Sequence, residues 1–154
     1  ARRLHPAGAV YFQMREDDVE RVLSYPHTMI GSDGLPHDSH PHPRLWGAFP
    51  RVLGYYSREK KLFTLAEAVR RMTTLSADHF GLKQRGRIAL HCWADLVIFD
   101  PATISDQATF ASPKQAATGI LWVLVNGEIA LANGKPTANR AGRFLDRQSE
   151  RYPT

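Results

Sequence analysis

Two β-rich runs meet at Asn126–Gly127. This dipeptide restricts the possible folds of the chain more than any other sequence feature. The segment 119–135 reads GILWVLVNGEIALANGK, with branched and aromatic residues on both sides of the dipeptide. Asn-Gly tolerates positive φ at both central residues of a two-residue turn, which makes it the strongest short-range signal for a β-hairpin. Asn133–Gly134 marks a second turn. The end of the chain is therefore predicted to be antiparallel β-structure.

The change to strand-forming composition begins at Gly86. ADLVIFD, residues 94–100, is a mostly apolar run typical of a further strand. We therefore expect residues 86–154 to form a small β-sandwich-like subdomain with a polar, basic tail from Ala138.

Residues 1–85 have a different pattern, typical of an α/β fold. The apolar run 9–14 (AVYFQM) predicts a strand, EDDVERVLS at 16–24 predicts a helix with acids in its first turn, and 27–33 (HTMIGSD) predicts a second strand. Strand, helix, strand indicates a βαβ unit with parallel strands and a right-handed crossover. The predicted fold class is thus α/β plus β.

Three further helices are expected before residue 86. Pro50 suits the first position of a helix, so a helix is predicted to start there. Thr64 and Glu67 form a capping-box pattern ahead of a helix over 64–74. One more helical turn over 76–81 is expected to close at Gly81.

Composition restricts the partners that the chain is expected to have. At 154 residues, 43% hydrophobic and 23% charged, it resembles an ordinary globular domain. Its net charge of +5 is spread along the chain rather than gathered in a stripe with aromatics, which argues against nucleic-acid binding. No run approaches the roughly 18–20 apolar residues of a membrane span. A single cysteine, Cys92, excludes an intrachain disulfide framework and fits a reducing compartment, so we expect a cytoplasmic protein that binds neither membrane nor nucleic acid.

Asp33 is the candidate catalytic residue, and Arg44 is the candidate substrate-binding residue. Asp33 follows a predicted parallel strand, at the end where α/β folds place catalytic groups, but an Asp beside Gly34 is equally common in an ordinary turn. Arg44 lies beside Trp46 and has the donors to hold a carboxylate in a bidentate contact, although a solvated surface arginine is the commoner case.

Three histidines, His37, His40 and His42, lie in the loop between these two candidates. A metal site needs imidazoles that converge, whereas Pro41 and Pro43 favour an extended backbone around His42 that separates neighbouring side chains. A polar loop is therefore preferred to a ligand cluster.

Several segments together resemble the D-aminoacylases, the N-acyl-D-amino-acid deacylases of the amidohydrolase superfamily. They are TMIGSDGLPHD, HPRLWGAFPRVLGYYSRE, LFTLAEAVRRMTTLSADHFGL, ADLVIFDPATISDQATF and VLVNGEIALANGKPT with GRFL. The resemblance covers almost the whole chain and matches the C-terminal portion of that family.

The resemblance implies a zinc-dependent (β/α)8 barrel that hydrolyses the amide of an N-acyl-D-amino acid, with a small β domain beside it. Asp33 matches the family aspartate after the eighth barrel strand, which takes a proton from a metal-bound water and passes it to the departing amine. Arg44 matches the arginine that holds the substrate's α-carboxylate. Neither the loop histidines nor Cys92 match the family's zinc ligands; at most, Asp33 would make a weak contact to a second metal position.

Two departures from the family pattern matter. His91 replaces a glycine at the entry to the β domain, where a positive φ would strain a histidine. In addition, a (β/α)8 barrel takes about 250 residues, so this chain would supply only its last βαβ part, with helices, over residues 1–85. We expect the chain to bind no zinc alone, to need the remaining barrel or a partner chain, and to be inactive in isolation. A non-catalytic binding or assembly module derived from this family is the alternative.

Overall fold

A computed structural model describes residues 11–145 of the chain. The helices lie in the first half of this range, and the strands, which form one sheet, lie in the second half. The helical elements are α1 (Glu16–Ser24), α2 (Arg44–Arg51), a π-helix (Val52–Glu59), α3 (Leu65–Met72) and α4 (Thr74–Phe80); the strands are β1 (Leu96–Phe99), β2 (Ile120–Val125), β3 (Glu128–Ala132) and β4 (Lys135–Pro136). Within the described part, no helix is long and apolar enough to cross a bilayer.

The sheet is antiparallel and its strand order is β1-β2-β3-β4. Asn126 and Gly127 have φ of 50° and 86°, as a primed two-residue hairpin turn requires, and Val125 pairs with Glu128 across it. Asn133 and Gly134 repeat the arrangement with φ of 49° and 72°. Both turns predicted from Asn-Gly are confirmed, and so is the antiparallel β-structure. These four strands form one sheet, so a sandwich for residues 86–154, and the boundary at 86, stay predictions.

The two strands predicted for the βαβ unit are not observed in the described residues. Residues 11–14 and 27–33 lie outside any strand, while residues 9 and 10 fall outside the described part. Parallel strands occur almost only in sheets that have neighbouring strands and both faces covered. Here Tyr11 and Phe12 are 76% and 78% exposed, and the Ile30 N–H donates to the Arg71 carbonyl at 3.3 Å instead of to a neighbouring strand. For the chain as described, the prediction of these strands was wrong.

The helix between those segments was predicted correctly, with the same bounds, as α1. Its first turn carries Glu16, Asp17 and Asp18, which favour the positive end of the helix dipole. Val19 and Leu23 pack against the core from one side of the helix.

The helix predicted to start at Pro50 starts six residues earlier, at Arg44. Pro43 has helical φ and ψ, and its carbonyl accepts from the N–H groups of Trp46 and Gly47, so a proline does stand at the start of the helix, but it is Pro43 rather than Pro50. Pro50 is buried inside α2, where it has no N–H to continue the i to i−4 ladder. The π-helix follows directly, and its end shows the wider pattern, with the Lys60 N–H donating to the Tyr55 carbonyl at 2.8 Å.

The capping residue of α3 and the end of α4 are as the sequence predicted. Thr64 Oγ1 accepts from the Glu67 N–H at 3.2 Å. The Glu67 carboxylate does not complete the capping box, because it pairs with Arg70 and Arg71 at 2.8 and 2.7 Å. Gly81 ends α4 with φ 69°, and α4 begins at Thr74, two residues before the predicted turn.

The π-helix lies at the centre of the hydrophobic core. Val52, Leu53 and Tyr56 are buried together with Ala68 of α3 and with Ile104, which is 1% exposed. Two residues of the sheet, Phe99 and Ile120, pack against this cluster. The core therefore joins the helices to the sheet and fixes the axis of α2, which runs directly into the π-helix.

Candidate active site

Asp33 lies in the turn that follows the predicted second strand, with its carboxylate exposed. Its φ is 47°, in the left-handed region that Asp and Asn tolerate better than other residues with a Cβ. The next residue, Gly34, allows the turn to touch the first turn of α2, because a Cβ there would lie 2.6 Å from Leu45 Cδ1. This close approach brings Asp33 beside the start of α2.

The structure brings the two predicted site residues together as an ion pair. Arg44 is the first residue of α2, and its Nη2 lies 2.8 Å from Asp33 Oδ2. The Arg44 side chain is 39% exposed and that of Asp33 is 80% exposed. Arg44 Nε is buried and has no hydrogen-bond partner among the described residues. The guanidinium therefore has one donor group paired with Asp33 and another unsatisfied.

An unsatisfied guanidinium donor at a helix N-terminus suits an added carboxylate. The fork of an arginine binds the two oxygens of a carboxylate with matching geometry, and the dipole of α2 also favours an anion at Arg44. An exposed ion pair such as Asp33–Arg44 contributes only about 0.2–1 kcal/mol. A second carboxylate can therefore share Arg44 with Asp33, or displace it, at small cost.

The three loop histidines do not converge. His40 Nε2 donates to the Phe110 carbonyl at 2.8 Å, and His42 Nδ1 accepts from the Arg44 N–H at 3.0 Å. His37 is exposed and makes no hydrogen bond within residues 11–145. His40 and His42 both contact Phe110, but their bonded ring nitrogens face different backbone groups.

Zinc would need three or four His, Cys or carboxylate ligands around one point. The described residues contain no group of three such side chains that could hold a metal. Cys92 is half-buried, and its N–H donates to the Ala89 carbonyl at 3.2 Å. The donor set in this part of the chain therefore does not fit a metal centre.

His42 is a site residue whose role sequence reasoning missed. Burial lowers its pKa, and the positive charge of Arg44 lowers it further. Its ring meets the Phe110 ring edge to face, with 5.1 Å between centroids. The only local signal was its place two residues before the start of α2, and the misplaced start at Pro50 concealed that signal.

Phe110 is also a site residue that sequence reasoning did not identify. Its position depends on an ion pair between two residues that lie far apart in the sequence. Arg51 in α2 pairs with Asp106 at 3.4 Å, and Gly47 leaves room for this approach, since a Cβ there would lie 3.1 Å from Asp106 Cβ. Phe110 also stacks edge to face on Phe12 at 4.7 Å. These contacts form an aromatic wall, Phe12, Phe110 and His42, next to the first turn of α2.

His91 has the positive φ expected at this position, while the strain itself stays a prediction. Its φ is 65°, and it occupies the third position of the turn from Ala89 to Cys92. A positive φ at that position is typical of a type II turn, which favours glycine there. Buried Arg85, which precedes this turn, pairs with Asp95 after it and bonds Asn126 of the β2–β3 hairpin at 2.9 Å.

Comparison with known proteins gives consistent matches. A sequence model described as the amidohydrolase family matches residues 2–131. A D-aminoacylase of Alcaligenes xylosoxydans xylosoxydans is 56% identical over 94% of this chain and 30% of its own length. An N-acyl-D-glutamate deacylase of the same organism is 54% identical over 97% of this chain and 30% of its own length.

Solved structures give the same result. A D-aminoacylase crystal structure superposes with a TM-score of 0.86 at 55% identity, over 88% of this chain and 29% of that one. An N-acyl-D-glutamate deacylase of Bordetella bronchiseptica, complexed with zinc and a phosphonate mimic of the tetrahedral intermediate, gives 0.81 at 54% identity, over the same shares. The chain thus spans about 30% of the length of the relatives it matches. On the match over residues 2–131 and on these identities, the chain belongs to the amidohydrolase family.

Proposed function

We propose that this chain forms the C-terminal part of a zinc-dependent hydrolase that deacylates N-acyl-D-amino acids to a D-amino acid and a carboxylate. The observation that carries the proposal is the 2.8 Å contact between Asp33 and Arg44. It places a carboxylate suited to proton transfer beside a cation suited to hold a substrate carboxylate. The relatives named for N-acyl-D-amino acid deacylation support this choice of substrate.

Arg44 is proposed to hold the α-carboxylate of the substrate. That group is common to every N-acyl-D-amino acid, whatever its side chain. Nη2 provides one donor once the substrate competes with Asp33, and the unpaired but buried Nε provides the second once the side chain shifts towards the substrate. The bidentate contact then fixes the orientation of the amide.

Asp33 is proposed to act as general base and then as general acid. In an N-acyl-amino acid, the carboxylate and the amide nitrogen are attached to the same α-carbon. A substrate held by Arg44 therefore has its amide close to a carboxylate that contacts the same guanidinium. Asp33 takes a proton from the attacking water and delivers it to the amine as the C–N bond breaks.

The zinc of the proposed enzyme would be held by residues outside the described part of the chain. Asp33 can offer one carboxylate and no more. The remaining barrel, or a partner chain that supplies it, is therefore proposed to be required for activity.

The test is hydrolysis by the complete protein that contains this segment. We expect release of acetate from N-acetyl-D-amino acids, and much less from the L enantiomers or from N-acetyl-D-amino acid amides, which lack the carboxylate that Arg44 binds. Equal rates on the acid and its amide would contradict the role of Arg44, and no release from any D substrate would contradict the proposed function.

A non-catalytic binding or assembly module is the second candidate. It is favoured by His91 at a position suited to glycine. If the complete, zinc-loaded protein binds N-acyl-D-amino acids in calorimetry without releasing acetate, this second candidate is the correct one.

A further inference from the structure

The first turn of α2 takes its side-chain hydrogen bond from one residue outside the helix, His42. The first N–H groups of any helix lack partners within it. Pro43, the residue before α2, provides no side-chain cap. His42 supplies two acceptors instead, since its carbonyl accepts from Leu45 N–H and its Nδ1 accepts from Arg44 N–H, both at 3.0 Å.

The His42 ring is held in the orientation that this second bond needs. It is partly buried and meets Phe110 at an interplanar angle of 85°. The Phe110 carbonyl is itself fixed by His40 Nε2 at 2.8 Å. The ring is therefore braced on one side by Phe110 and bonded on the other to the backbone of Arg44.

We propose that His42 is a positioning residue for Arg44: its Nδ1 holds the Arg44 backbone so that the guanidinium meets the substrate's carboxylate. The inference rests on the proposed function, because it assumes that Arg44 binds that carboxylate. Arg44 Nη2 is already placed 2.8 Å from Asp33 Oδ2, so a shift of its backbone moves it relative to both Asp33 and the substrate. His42 itself touches neither Asp33 nor, on this account, the substrate.

The chemistry of Nδ1 determines which substitution preserves the role. As an acceptor, Nδ1 carries no proton, so the ring proton lies on Nε2. Asn places its Oδ1 at nearly the same distance from the backbone and can accept the same N–H, whereas Ala cannot. His42→Asn should therefore keep the function that His42→Ala loses.

The experiment uses the complete protein and two measurements. The first is the Kd for an N-sulfonyl-D-amino acid, which carries the carboxylate but cannot be deacylated; the second is KM and kcat on an N-acetyl-D-amino acid. Loss of one hydrogen bond in His42→Ala should raise Kd and KM by about three- to tenfold, with kcat within about twofold. His42→Asn should recover both constants. His37→Ala, in the same exposed loop, is the matched control and should change neither.

A double-variant comparison tests whether His42 acts through Arg44. In an Arg44→Ala background, His42→Ala should have no further effect on Kd, since coupled residues are not additive. The inference is overturned if His42→Asn is as impaired as His42→Ala, if only kcat falls, or if the two substitutions add independently. Nitrogen-15 NMR of the His42 ring should show an unprotonated Nδ1, and a protonated Nδ1 also overturns it.

Failure of the proposed function gives a different result. If the wild type binds the N-sulfonyl ligand but hydrolyses no N-acyl-D-amino acid, the proposed function fails, while the Kd pattern of the His42 variants still decides this inference. If the wild type binds no carboxylate ligand, both are overturned.

Discussion

Replacing Asp33 by Asn should tighten the binding of a carboxylate ligand while it abolishes turnover. In the structure Asp33 occupies the Arg44 donor that the ligand needs, at 2.8 Å. Asn keeps the shape of the side chain and tolerates the φ of 47°, but it removes the competing charge. The variant thus separates competition for Arg44 from proton transfer.

The size of the expected change in Kd follows from the solvent exposure of the Asp33–Arg44 ion pair. With Asp33 80% and Arg44 39% exposed, solvent screens the interaction strongly. Such pairs contribute about 0.2–1 kcal/mol, so Kd should fall by about 1.4- to 5-fold. Loss of general acid and base catalysis should lower kcat by about 10² to 10⁴-fold.

The assay is isothermal titration calorimetry, in which the Kd of an N-sulfonyl-D-amino acid is measured for the complete protein and its variants. Asp38→Asn is the matched control, because Asp38 is exposed in the same loop and forms no ion pair among the described residues. The difference between wild type and Asp33→Asn should shrink as salt is added. Unchanged or weaker binding by Asp33→Asn at low salt would refute the idea that Asp33 competes for Arg44.

Four further predictions concern stability, metal and assembly. His91→Gly should raise the free energy of unfolding by about 0.5–1 kcal/mol in denaturant titration, because His91 has φ 65° and glycine adopts that region freely; a lower value would show that the turn is unstrained. Hydrogen bonds from Arg70 and Arg71 lower the pKa of Glu67 from 4.5 to about 2, so its stabilisation of α3 is complete above pH 4.5 and is lost as the pH falls towards 2. Amide exchange in α3 should show a protection difference between wild type and Glu67→Gln that shrinks over this range, and a constant difference would contradict it. The chain expressed alone should retain no stoichiometric zinc after dialysis against a mild chelator, as measured by elemental analysis. Retained zinc would support the alternative that the loop histidines form a metal site. The isolated chain should also self-associate in sedimentation, since Ile88 and Leu90 are 92% and 90% exposed; a monomer at high concentration with sharp two-state unfolding would argue for a complete domain.

The elements that the sequence predicted well depend on local signals. The acids of α1, the Thr64 cap and the two Asn-Gly turns each act over a few residues, and each appears where the pattern places it. A cap or a tight turn is satisfied by its immediate neighbours, so no knowledge of distant contacts is needed.

The elements that it missed depend on distant partners. Pro50 suggested a helix start, yet α2 begins at Arg44, and Pro50 is buried within it. The predicted strands 9–14 and 27–33 need neighbours that the described residues do not provide. The pattern of apolar residues can indicate a strand, but only a paired edge makes one.

The candidate site was predicted through a family resemblance rather than through spacing. From the residues alone, Asp33 was equally a turn residue and Arg44 was more simply a surface arginine. Their contact depends on Gly34 packing against Leu45, and the position of Phe110 depends on Arg51 meeting Asp106. Such contacts join residues far apart in the sequence, so composition and periodicity could not reveal them.

Steady-state kinetics of Arg44→Ala in the complete protein, with an N-acetyl-D-amino acid as substrate, tests the central claim most directly. Removing a charge-assisted bidentate contact should cost about 2–3 kcal/mol, or about 30- to 150-fold, and most of it should appear in KM because the carboxylate is held in both the ground state and the transition state. Asp33→Asn, measured beside it, should lose kcat and bind the substrate at least as tightly as the wild type. If Arg44→Ala leaves KM unchanged, or if Asp33→Asn keeps the wild-type kcat, the role proposed for that residue is wrong.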